Sequence, residues 1–230
     1  MLKAFGLGLL SQSSLLLAGL MVYWVTLSKR VVGALAGFGA GAMLSAISFD
    51  LLAETKGLEP WQLGLWMMIG VAIFLVGDAI VDRKFGSEGV GGSMGIIVGS
   101  VVDGVPESMI FGIQLAAGIP VSVSFLGAVF VSNIPQAVGP SADLAAAGWP
   151  RRRLGRVWLL VVLGCGVAAA LGYLAVDISS AVQGDRLAAL AAGGLLAMLT
   201  NSLVPFAYER GGQIAGVATV VGFCVSLMGT

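Results

Sequence analysis

The sequence predicts an all-α integral membrane protein, a single transmembrane domain over residues 1–230 with eight helices in a 3+2+3 arrangement, and three observations carry that prediction. Mean hydropathy is +1.00, 58% of the residues are hydrophobic and only 10% are charged, against about 25% charged in soluble domains. Eight apolar segments follow one another, each near the ~20 residues that cross a hydrocarbon core. A faint internal repeat groups the first three and the last three segments around a central pair.

The first segment, residues 5–27, follows Met1-Leu2-Lys3 and runs straight into Trp24 without a small-residue cleavage site. It reads as a helix and not as a signal peptide. The second, 31–53, carries Gly33, Gly37, Gly39 and Gly41, small residues that let helix backbones approach in lipid. The third, 62–81, ends with Asp78 and Asp82 beside Arg83 and Lys84, which reads as a snorkelling interfacial group. Gly86 to Gly92 reads as a cytoplasmic connection.

The fourth and fifth segments, 91–117 and 120–147, are long, and Gly118-Ile119-Pro120 between them leaves room only for an antiparallel hairpin. Segments 155–176, 187–207 and 213–229 complete the set. Cys165 and Cys224 fall within spans, where a cysteine is a small apolar packing residue. Trp24, Trp61 and Trp149 lie near predicted interfaces, where aromatic belts form.

Basic residues orient the chain. Alternate loops hold nine of the twelve, namely Lys29, Arg30, Arg83, Lys84, Arg151, Arg152, Arg153, Arg156 and Arg210. Positive loops stay in the cytoplasm, so both termini are expected outside, in a plasma or inner membrane. Net charge is zero, and no basic face suits nucleic acid.

A shift of 152 residues aligns Gly41 to Leu52 of the second segment with Gly193 to Val204 of the seventh. The topology above has these two helices crossing in opposite directions, the trace an inverted repeat leaves. The central pair has its own echo at a shift of 29: Asp103, Pro106 and Glu107 answer to Ser132, Pro135 and Gln136.

Function is expected at that echo. A carboxylate in the bilayer costs about 2.5 to 3.5 kcal/mol on insertion scales, so Asp103 and Glu107 at mid-span should face a partner helix or a water-filled path. They are spaced i and i+4, and Asn133 and Gln136 are spaced i and i+3, so each pair shares a helix face. Each proline also frees the carbonyl four residues back, at Val102 and Val131, and an orphan carbonyl in lipid needs a partner. Together with Ser132 this is an oxygen-rich donor set suited to a hard divalent cation, without the imidazole or thiolate that zinc and copper favour.

These residues resemble the ZIP family of metal transporters. That family writes its fourth-helix motif His-Asn-x-Pro-Glu-Gly, where this chain reads Asp103-Gly104-Val105-Pro106-Glu107-Ser108. The fifth-helix motif is matched by Ser132-Asn133-Ile134-Pro135-Gln136-Ala137. The second helix, Gly41 to Ser45 with Asp50 to Glu54, and the approach to the sixth, Ala147 to Arg153, are also similar.

The resemblance implies eight spans as 3+2+3, both termini outside, a metal site between helices four and five, and a homodimer. Glu107 and Asn133 are retained residue by residue. Asp103 stands for a histidine, Gly104 for an asparagine, Ser132 for a histidine or glutamine and Gln136 for a glutamate. Asn201-Ser202 stands where the family has a His-Glu pair, and the chain has no histidine at all.

The expectation is a carrier for a divalent cation of the zinc, iron or manganese class, with no resident cofactor. Its ligands would be Asp103, Glu107, Asn133 and Gln136, with Ser132 as a weaker contributor. Asp143, Asn201, Ser202 and Asp50 are candidate pathway residues. Two alternatives stay open: a non-transporting relative that acts as an interaction protein, and a pore for protons or another small solute. No nucleophile-and-base constellation or cofactor fingerprint points to an enzyme.

Overall fold

The computed structural model describes residues 1–55, 57–85, 90–118, 121–177 and 181–229, and every regular element among them is helical. In chain order these are α1 (Leu2–Met21), α2 (Lys29–Ala46), α3 (Pro60–Phe85), α4 (Val90–Ala116), α5 (Val123–Ala146), α6 (Arg151–Asp177), α7 (Ala181–Met198), α8 (Val204–Gly211) and α9 (Gln213–Leu227). A π-helical turn, Ile47–Leu51, extends α2, and a second, Leu199–Leu203, joins α7 to α8. Among the described residues six helical runs are long and apolar enough to cross a membrane: Leu2–Met21, Lys29–Leu51, Pro60–Ile80, Val123–Ala146, Arg151–Val176 and Gly184–Gly211. The chain has the helices of a membrane protein.

Each expected segment falls on helix, with shifted ends. The first stops at Met21 and not near 27, because Tyr23 turns to donate its hydroxyl to the Trp149 carbonyl and Trp24 lies under the Arg151 guanidinium. The sixth begins at Arg151, four residues before the expected 155, so its arginines stand on the first turns of the helix. The proposed Gly86 to Gly92 connection falls largely on residues 86–89, outside the described residues, as do Lys56 and the Ile119-Pro120 link.

Local chemistry explains several ends. Ser28 and Ser122 cap α2 and α5, their side chains accepting from the N–H groups of Val31 and Phe125 and satisfying donors that a helix start leaves open. Gly148, at φ +84°, closes α5 with the Trp149 N–H bonded to the Leu144 carbonyl at 3.0 Å. That six-residue closure needs a left-handed residue, which glycine adopts without a Cβ clash.

Packing rests on small residues, because lipid tails are as apolar as leucine and give helices no hydrophobic reason to associate. A Cβ on Gly41 would collide with the Thr219 carbonyl oxygen, and one on Gly222 with that of Phe38, so α2 and α9 touch backbone to backbone. The α3–α7 seam is built alike, Gly193 against Met67 and Gly70 against Leu190. Every partner in one seam is displaced by 152 residues from its counterpart in the other.

The two π turns are displaced by the same 152 residues. Ser48 donates to the Leu44 carbonyl at 2.8 Å, and Thr200 donates to that of Leu196 at 2.9 Å. Such hydroxyl back-bonding to residue i−4 competes with the helical ladder and bends it.

Candidate functional site

Pro106 lies inside α4 and Pro135 inside α5, and both helices continue through them. Glu107 is 0% exposed and Asn133 1%. No hydrogen bond runs between them directly; the side chain that joins them is Gln12 of α1, itself wholly buried. Gln12 Nε2 donates to Glu107 Oε2 at 2.8 Å, and Asn133 Nδ2 donates to Gln12 Oε1 at 2.9 Å. Asn133 Nδ2 also reaches the Ser11 carbonyl at 3.5 Å.

The arrangement leaves Glu107 Oε1 buried with no hydrogen-bond partner among the described residues. Leaving such an acceptor unsatisfied costs about 1–3 kcal/mol, more for a charged group. That oxygen is the unpaired acceptor of the cluster.

Gly104 explains how Gln12 reaches in. A Cβ at 104 would lie 2.7 Å from Cys165 Sγ and 3.3 Å from Gln12 Oε1. The volume that a longer residue at 104 would take is filled by an amide from α1 and a thiol from α6. Cys165 therefore packs against the site itself and is buried, whereas Cys224 is exposed.

The remaining expected ligands divide. Asp103 is half-buried and close enough to interact electrostatically with both Glu107 and Asp78. Asp78 of α3 therefore lies within electrostatic reach of Asp103. A Cβ on Gly77 would lie 3.2 Å from Val102 Cγ1, so α3 and α4 pass closely there.

Ser132 and Gln136 are buried on α5. The Ser132 hydroxyl is committed to the Val129 carbonyl at 3.0 Å, and α2 presses on its backbone at Gly39, where a Cβ would stand 2.6 Å from Ser132 Cα. Among the described residues no three His, Cys, Asp or Glu side chains are grouped to hold a metal. A cation here would take Glu107 with amide oxygens.

The pathway residues lie outside the Gln12–Glu107–Asn133 chain. Asp50, in the first π turn, accepts from the Ser122 hydroxyl that caps α5, so it ties α2 to α5. Asn201 and Ser202 are exposed on the second π turn, and Asp143 is exposed on the last turn of α5. Asp143 interacts electrostatically with Arg210.

Gln12 is the member of this cluster that the sequence reading missed. Its signal was present: Ser11-Gln12-Ser13-Ser14 puts four polar residues midway along an otherwise apolar helix, and polar groups in lipid need partners as carboxylates do. No family model matches the chain and no curated protein matches it.

Proposed function

We propose that this protein is a ZIP-like carrier that moves a divalent metal cation across a membrane through a site between α4 and α5. The observation that supports it best is the buried Glu107 carboxylate, held by the Gln12 amide on one oxygen and bare on the other, next to the proline inside α4. A lone carboxylate oxygen with amide neighbours is a donor set for a hard cation.

The 152-residue correspondence of π turns and glycine seams supports a 3+2+3 architecture with inverted repeats, α1–α3 answering to α6–α9. In such folds the two outer groups rock about a central site. Both termini outside, a homodimer and a plasma or inner membrane belong to the same reading. With no histidine in the chain, manganese suits the site better than zinc or iron.

Purified protein in liposomes should take up manganese, and Glu107→Ala should abolish both the uptake and the metal-dependent rise in Tm in detergent. Uptake that is unchanged by the substitution overturns the assignment.

A second reading has an observation of its own. Gln12 already occupies one oxygen of Glu107 and the amide of Asn133, which fits a relative whose site has become a structural tie. Absence of uptake and of any metal-dependent change in Tm would favour it. Proton flux without metal would favour the proton pore.

A further inference from the structure

On the outer surface of the bundle, α1 and α6 separate into a groove of about 520 Å³ lined by Leu16, Leu20 and Leu159, with Trp24, Arg151, Arg152 and Arg156 toward one end. Gly155 thins α6 there: a Cβ would stand 3.4 Å from Leu20 Cδ2, at ordinary contact distance. The three arginines are exposed, and they stand on the first two turns of α6, so the groove runs from a charged helix end onto the apolar flank of the two helices.

Arg151 does not wander. Its guanidinium lies 4.4 Å from the Trp24 ring centroid and 5.3 Å from that of Tyr23, and Tyr23 is itself fixed through its bond to the Trp149 carbonyl. Stacking on the ring faces presets the arginine and leaves its N–H edge free to bind an anion.

We infer that this groove is a binding site for an anionic phospholipid, its phosphate held by Arg151, Arg152 and Arg156 and one acyl chain lying along Leu16, Leu20 and Leu159. Charge and shape agree on that occupant. A soluble phosphate would use the arginines but leave the leucine channel empty; a zwitterionic lipid would fill the channel but gain little from three cations. Basic pockets between transmembrane helices hold acidic headgroups in this way.

Native mass spectrometry of the detergent-purified protein, given equal amounts of dioleoyl phosphatidylglycerol and dioleoyl phosphatidylcholine, tests the site. Wild type should retain phosphatidylglycerol preferentially, each arginine contributing roughly fivefold to retention. Arg152→Gln with Arg156→Gln should cut the preference by more than tenfold, whereas Arg83→Gln, an exposed arginine on α3, should leave it intact. Gly155→Leu, which fills the groove with the arginines in place, should also lower retention. Equal retention of the two lipids, or a preference untouched by the double substitution, overturns the proposal. Displacement of the lipid by glycerol 3-phosphate alone would make this a soluble-anion site and overturn it as well.

Discussion

At the scale of single residues, one amide decides the character of the site. Gln12 serves two partners at once, as donor to Glu107 and acceptor from Asn133, so removing it strands a carboxylate oxygen and an amide in a buried setting. Gln12→Ala should lower stability by about 1–3 kcal/mol, read as a drop in Tm. Gln12→Glu would put a second carboxylate against Glu107 and should destabilise more, unless a divalent cation is added. Restoration of its Tm by manganese but not by sodium would show that Glu107 and its neighbours can hold a cation; no difference between the two salts would refute it. Glu107 and Asn133 were legible as site residues because a polar group beside a proline in an apolar run is costly there. Gln12 was not tied to them because its partners lie 95 and 121 residues away, a separation no local pattern encodes.

Among the elements, the glycine seams and the π turns set how closely helices lie. Gly70 and Gly193 sit where a side chain would strike backbone, whereas Gly164 on α6 has nothing within 4 Å. Gly70→Val or Gly193→Val should therefore destabilise by about 1–3 kcal/mol through overpacking. Gly164→Ala should be neutral or stabilise by about 0.4–1 kcal/mol, because it removes backbone freedom from the unfolded chain. Thermal melts in detergent that rank the three alike would refute the seam argument. Helix positions were readable from hydropathy, and the alignment of Gly41 with Gly193 was visible as a faint repeat. The π turns were not, since they arise where a hydroxyl bonds back into its own helix and the ladder yields.

For the whole molecule, the distribution of arginine and lysine makes a statement about sidedness. In a background with Cys224→Ser, a cysteine placed at Lys56 should react with an impermeant maleimide from outside, and one at Arg152 should react only after the membrane is opened. The opposite pattern would invert the topology and with it the direction of any path past Asp50 or Asp143. Sidedness is a property of the chain in a bilayer, so labelling in intact cells is the measurement that decides it.

By itself the sequence determined that the chain is a bundle of apolar helices, roughly where each one lies, and that polar residues such as Glu107 and Asn133 interrupt two of them beside prolines. It could do so because hydropathy and the cost of polar groups in lipid act locally along the chain. Only the tertiary structure decided that Gln12 joins those two residues, that Cys165 fills the space beside Gly104, that Asp78 comes within electrostatic reach of Asp103, and that Asp50 ties α2 to α5. Each of these depends on which helix lies against which, and between helices in lipid that choice is made by close backbone fit, which is a property of pairs of surfaces and is not written in either segment alone.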